Sequence, residues 1–456
     1  MNAVLLCAAA MAAGRTLWVA PPPGPEGDGS RQRPFRSVHR AVAEAKPGDE
    51  VVFLGGRYAM EDFVVLTQRG EPGRWLVLRA ERGQKPVFDF KTVRPERQPW
   101  TGGFHAKGAA YVRFVGLAVE NSHACGFLIS DGCEAIDVVD CRVRMTFMPG
   151  IGAWNSSRVR IVGNDVSRAN DPSMRLWGNP EHECPHEAIS VAGIKRFEVA
   201  WNRVHDSVKE GIDVKEVSAH GVVHHNLVED LHRQAYYADA WFGLLEDVEF
   251  VSNVARRCEW GLAISVEGRA SELRNVRVRH NVLHDNRASG IFFGRWGTDG
   301  PRSGIRIEAN TLARNGRRGH WAGATGNIDL RSPNVRGVVV ERNLLVGGSG
   351  FQIAAFSDDP AVLAARQVSV RNNRMDRRMP CPIEENPYGP AYVLDGDSPQ
   401  FGAVEFEDPS RELWLPKDPS LDFGALPGAA KKLPKVGLIL EGFPPYRPSR
   451  RLHPLF

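Results

Sequence analysis

Short segments of alternating apolar and polar residues recur through the middle of the chain, and each closes on an asparagine. VRIVGNDV, FEVAWNRV, VVHHNLV, VEFVSNVA, VRVRHNVL, IRIEANTL, VVVERNLL and VSVRNNRM place Asn at 164, 202, 226, 253, 281, 310, 343 and 373. The intervals are 38, 24, 27, 28, 29, 33 and 30 residues. Alternation of period two predicts strands, and the near-constant spacing predicts a repeat. YVRFVGLAV and IDVVDCRV, from residue 111 onward, belong to the same series. Earlier strands are predicted at 16–20, 75–80 and 86–90, while 91–108 reads as an irregular excursion. Between them, PFRSVHRAVAEAKPGD (34–49) sets Val38, Ala41, Val42 and Ala45 at helical spacing and stops at Pro47–Gly48.

A strand of this length cannot bury its apolar face alone. Stacking each unit on the next makes one continuous core, which predicts an all-β parallel β-helix. The recurring Asn would then form a ladder of amides at a tight, partly buried bend, bonding backbone groups of neighbouring coils. The helix at 34–49 would cap the open sheet end, which is otherwise a pairing hazard. The long excursions at 169–186 and 295–302 would project from one side and wall a groove. After the last unit, near 367–375, the chain turns proline-rich and predicts a tail packed along the outside. The expected division is a leader over 1–14, the β-helix with its cap over 15–375, and the tail over 376–456.

Composition narrows the partners. Lys and Arg number 58 against 54 Asp and Glu, a formal net charge of +4, which gives no ground for a nucleic-acid partner. MNAVLLCAAAMAAG at the start is apolar and ends in small residues, as the hydrophobic part of a secretory signal does. A secreted or periplasmic protein is expected, monomeric and without a membrane-spanning helix. Cys125, Cys133 and Cys141 lie eight apart, a spacing unlike a zinc site, and read as buried thiols, with one or two disulfides open to an exported chain.

The candidate chemistry lies in 186–241. In GIDVKE, strand alternation turns Ile212 and Val214 inward and Asp213 and Lys215 outward. Aligning Ile212 with Tyr236 sets Tyr237 beside Asp213 and Asp239 beside Lys215. Ser190 falls opposite Asp213 on the preceding coil, and Ser265 and Glu267 continue the outward file on the next. Glu187 and Glu210 stand where the strands begin, Trp241 extends the file, and Arg295 and Trp296 lie near its edge. A surface ion pair between Lys215 and Asp239 would be the plainest explanation. The aromatic rings of Tyr237 and Trp241 on a wet strand face point instead to stacking on sugar rings. His205–Asp206, Glu229–Asp230 and His284–Asp285 follow their Asn by three and four residues and read as turn positions. His224, His225 and His232 are expected nearer the file, with His232 available to substrate or as an acid or base.

The opening DGSRQRPFRSVHRAVAEAKPGDEVVFLGGRY and the strand–Asn units from 111 to 375 resemble the right-handed parallel β-helix superfamily, in particular its pectate-lyase-like, polysaccharide-active members. The resemblance implies a right-handed β-helix acting on a polysaccharide or oligosaccharide, with acidic ones among the candidates. Its lyase branch uses calcium held by several Asp and a Lys as general base, and GIDVK resembles that branch's Asp-and-Lys coil. Asp213 and Lys215 carry over as calcium ligand and base, although no D-D-x-x-D cluster accompanies them. β-Elimination on a uronate would then use Lys215 with a lowered pKa, calcium on Asp213, Asp239, Glu187 and Glu210, and Arg295 on the substrate carboxylate. Glycoside hydrolysis would use a carboxylate pair drawn from Asp213, Asp239 and Glu267. An epimerase and a non-catalytic carbohydrate-binding or structural coil remain open as further readings.

Overall fold

A computed structural model of the chain describes residues 14–95, 100–176, 184–316, 325–378, 389–411 and 413–421. The expected leader falls outside these residues apart from Gly14, as do Cys7, Cys381, residues 177–183 of the first excursion and much of the tail.

Three long sheets run along the molecule, of 13, 12 and 13 strands, and successive strands of the chain visit them in turn. Within the coils each strand pairs in parallel with the strand one coil earlier and one coil later, so the backbone winds as a parallel β-helix. Inward residues of the three sheets, among them Phe104, Phe127, Ile136, Val214, Tyr236, Phe250 and Ile264, form one unbroken apolar core.

The asparagines form the predicted ladder. Asn202 Oδ1 accepts from the backbone N–H of Asn164 at 2.9 Å and from its Nδ2 at 2.9 Å. The same pair of bonds repeats from Asn202 to Asn226 and on to Asn373. Each Nδ2 also reaches a strand carbonyl, as Asn253 Nδ2 does to Val223 O at 2.8 Å. All eight residues are buried, so the ladder satisfies polar groups that water does not reach. The residue before each rung turns into the left-handed region, as at Trp201, His225 and Ser252. The residue four after it often does the same, as at Asp206, Asp230 and Asp285, in keeping with the turn reading of those positions. A second, unforeseen ladder runs from Asn286 to Asn315 to Asn327.

The helix Val38–Glu44 buries Val38, Ala41 and Val42 against the first coils, and Ser37 Oγ accepts from Arg40 N–H at its start. The described part of the tail touches the coils through Tyr392–Val393, antiparallel to Phe351–Ala355, and through Phe406, Trp414 and Leu421, which pack on Ala313 and Leu344. No helix among the described residues is long and apolar enough to cross a membrane. Cys125, Cys133, Cys141, Cys184 and Cys258 are free, buried thiols.

The span 91–108 departs from expectation. Gly102–Lys107 is a full strand of the second sheet, paired with Val64–Leu66 and Cys125–Ser130. Its residues from Gly102 to Ala106 are buried on both faces, and a strand covered on both faces loses the alternation by which strands are read.

Candidate active site

The second sheet carries Ile189–Ala192, Ile212–Lys215, Tyr236–Ala240 and Leu262–Val266 side by side. Their register is the one read from the sequence. Ser190 lies opposite Asp213, Asp213 opposite Tyr237, Lys215 opposite Asp239, and Asp239 opposite Ser265. The inward partners Ile212, Val214, Tyr236 and Ala238 sit in the core and fix the outward direction of the others.

Outward does not mean wet. Asp213, Tyr237 and Asp239 are 1%, 4% and 3% exposed, and Glu187 and Glu210 5% each. The expectation of aromatic rings on a solvated face is corrected accordingly: Tyr237 is covered, and Trp241 is half-buried. The cover comes from the turns that lead into the strands and from the loop after Ile291–Phe293. That loop lays Trp296 edge-on against Tyr237, with ring centres 5.8 Å apart, and against Trp260 at 5.3 Å. What remains is a pocket of about 640 Å³ lined by Glu187, Glu210, Asp213, Lys215, His232, Tyr237, Asp239, Trp241, Glu267 and Trp296. Lys209, Arg233, Gln234, Glu259 and Trp260 also line it and were not foreseen. Register could have found two of them: Gln234 and Trp260 stand two residues before their strands, as Glu187 and Glu210 do.

Arg295 is the exception among the candidates. Its Nε donates to Asp299 Oδ2 at 3.2 Å, and it does not line the pocket. Asp299 is held there by the buried Arg302, whose Nη1 donates to it at 2.9 Å. Asp329 and Arg331, further along the file, pair with each other at 3.0 Å. His224 and His225 are not near the file either. His224 ends a strand of the first sheet and meets Glu198 at 3.1 Å, and His225 stacks on Trp201 at 4.2 Å.

Lys215 Nζ donates to Glu187 Oε1 at 3.0 Å and lies 3.9 Å from Asp213 Oδ2. Its nearest partner is thus Glu187 and not Asp239, because the long side chain leans back toward the start of the preceding strand. Burial opposes the ammonium, but the carboxylates of Glu187, Asp213 and Asp239 outweigh it and hold the Lys215 pKa above its ordinary value. The lowered pKa that a lysine base requires is not what this environment produces. Burial also works against the Glu187 carboxylate, yet the Lys215 ammonium and His186 bring its pKa down to about 2. Asp213 goes the other way: burial and the charge of Glu187 raise it well above the carboxylate range, against the pull of Lys215. Asp239 is raised as well, by burial and Glu267, although Trp241 Nε1 donates to its Oδ2 at 2.5 Å. Tyr237 donates its hydroxyl to Glu267 Oε1, which Ser265 Oγ also reaches at 3.2 Å.

Glu187 Oε2, Asp213 Oδ1 and Asp239 Oδ1 are buried and make no hydrogen bond. Such oxygens invite a cation, and calcium needs six to eight of them. Yet the Lys215 ammonium already stands among these carboxylates, and no three acidic, His or Cys side chains among the described residues are set around one metal position. The donor set does not fit calcium as it is arranged.

Two family models match the sequence: a Pel9A-like, right handed beta helix region over residues 17–176, and a right handed beta helix region over 102–311. No curated protein matches it by sequence. Among solved structures it is similar to pectate lyase Pel9A, with 16% identity over 80% of this chain and 79% of that one, at a TM-score of 0.50. The A-module of Azotobacter vinelandii mannuronan C-5 epimerase AlgE6 gives 12% identity, 81% and 94% coverage and a TM-score of 0.54. XylC in complex with xylose gives 11%, 86% and 87%, and 0.51.

Proposed function

Since the chain is a right-handed parallel β-helix protein of the pectate-lyase-like superfamily, we propose that it is a carbohydrate-active enzyme whose reaction takes place in the Lys215 pocket, and that the reaction is hydrolysis of a glycosidic bond. One observation carries the choice of reaction. Glu187 and Asp213, on neighbouring coils and both beside Lys215, are driven in opposite directions, one to about 2 and the other well above the carboxylate range. Two carboxyls with separated pKa values are the pair that acid–base cleavage of a glycoside needs.

In this reading Asp213 keeps its proton at neutral pH and donates it from the oxygen that has no internal partner to the glycosidic oxygen as that bond breaks. Glu187 stays ionised and takes the proton of the attacking water. Lys215 holds the Glu187 charge in place. Asp239, also protonated, and Glu267 are left to bond sugar hydroxyls. Trp241, Trp296 and the edge of Tyr237 supply apolar faces for the ring. With Asp213 and Asp239 protonated, the lining sets Glu187, Glu210, Glu259 and Glu267 against Lys209, Lys215 and Arg233, close to balance and with no excess of positive charge. That balance favours a neutral glycan over a polyuronate. Xylose bound to XylC and the pectate and mannuronan named for the other similar structures support a sugar substrate in general terms.

β-Elimination is the second reading, favoured by Lys215 itself, which the Asp-and-Lys coil brings into the pocket. It requires the amine to lose its proton where the Glu187 carboxylate, 3.0 Å away, holds it charged. The two reactions part at their products. Incubation with a panel of neutral and uronate polysaccharides should release new reducing ends without the ultraviolet absorbance of an unsaturated uronosyl end. Unsaturated product would overturn hydrolysis in favour of elimination.

A further inference from the structure

Trp154 ends the strand Ile151–Trp154 and lies opposite Ala192, which in turn lies opposite Lys215. It therefore belongs to the same outward file as Lys215 and Asp239, two coils toward the N terminus, about 10 Å away along the stack. Only the methyl group of Ala192 separates them in that file. The Trp154 indole is anchored: its Nε1 donates to Ser190 Oγ at 3.3 Å, and Leu128, Phe147 and Met174 are buried with it in a cluster outside the main core. His186 lies against it with ring centres 4.7 Å apart, and Asn170 Nδ2 holds the His186 carbonyl at 3.1 Å.

Trp100 completes the group. It stands edge-on to Trp154 at 5.3 Å and to His186 at 5.3 Å, and it is 55% exposed. More than half of the indole is in water while its neighbours fix its orientation, which leaves a rigid aromatic face on which a sugar ring can stack. The rings of Trp154 and His186 hold it in position, and through Trp154 it stands beside the file that runs into the pocket. At the pocket's other side Trp296 offers a matching ring against Tyr237.

We propose that Trp100, backed by Trp154 and His186, is a second sugar-binding platform, and that a glycan lies along the stack from Trp100 across Lys215 to Trp296. The inference rests on the carbohydrate reading of the pocket and adds to it that the enzyme grips a chain on both sides of the cleaved bond. Substrates of several sugar units are then preferred, and cleavage falls within the chain and not at its end.

Affinity electrophoresis through gels containing xylan, galactomannan, mixed-linkage β-glucan or polygalacturonate tests this. It compares wild type, W100A, W100F and W296A. Expected is retardation of the wild type by a neutral polymer, weakened roughly tenfold in W100A and largely kept in W100F, which retains a ring. On oligosaccharides of the retarding polymer, W100A should raise KM more for a hexasaccharide than for a disaccharide. If W296A loses retardation while W100A keeps it, the platform is overturned and the pocket reading stands. If no polymer retards the wild type, the carbohydrate reading falls and the platform falls with it.

Discussion

Lys215 and Glu187 meet at 3.0 Å across two coils, in a place where neither charge would be tolerated alone. Breaking such a pair leaves one buried charge without its partner, at a cost of about 3 kcal/mol or more. We expect E187Q to lower the urea midpoint by a corresponding amount. The double variant E187Q/K215M, which removes both charges, should recover part of the loss. Activity should not return with it, because Glu187 also serves the reaction. A double variant no more stable than E187Q would contradict the pairing.

The opposed carboxyls set the pH profile. Glu187 has a folded pKa below its unfolded value, so its contribution to stability is present above the unfolded value and is lost as pH falls toward about 2. Asp213 and Asp239 are raised, so theirs is fully present below the unfolded value and is lost as pH rises through the folded one. The hydrolytic rate should follow a bell whose basic limb lies well above the ordinary carboxylate range. D213N should remove that limb and lower kcat by roughly a hundredfold to ten-thousandfold. A basic limb unchanged in D213N would assign the acid elsewhere, with Asp239 next in line.

Chelation separates the ammonium-filled pocket from a calcium site. Because Lys215 occupies the position among the carboxylates, dialysis against a chelator should change neither the rate nor the thermal midpoint. Adding calcium should not raise either. Loss of activity on chelation with recovery on calcium would mean that the carboxylates rearrange around a metal, and would return elimination to first place.

The asparagine ladder makes a graded prediction for stability. Asn253 accepts from Asn226 and donates to Val223 O and Asn281, whereas the terminal rung Asn373 accepts from Asn343 and donates to Val340 O. N253A strands partners on both sides and should cost about 3 kcal/mol, and N373A less, as buried unsatisfied amides do. Equal losses would show that the rungs do not depend on one another.

The coils and their register were legible because apolar alternation and the spacing of Asn202, Asn226 and Asn253 both report the same pitch. Aligning Ile212 with Tyr236 was enough to pair Asp213 with Tyr237 and Lys215 with Asp239. Less legible was everything decided by what covers a strand. The burial of Tyr237 depends on Trp296, which arrives from a loop with no periodicity. Lys215's choice of Glu187 over Asp239 depends on the lean of one flexible side chain. Register places Arg295 near the edge of the file, but Asp299, set by the buried Arg302, claims it. Trp154 and Trp100 carried no signal of their own, since a single tryptophan in a strand or loop looks like any other apolar residue.

The ladder has a bearing on how such a protein can change. Because every rung is bonded to the next at nearly one distance, the coils are ruled like the lines of a page, and loops can lengthen only in the margins. The separations among Glu187, Asp213 and Asp239 are thereby fixed by the backbone's own ruling. Insertions after Asn164 or Phe293 can reshape the walls around them without moving the reacting groups. A descendant of this chain could take up a new glycan by rewriting its loops alone.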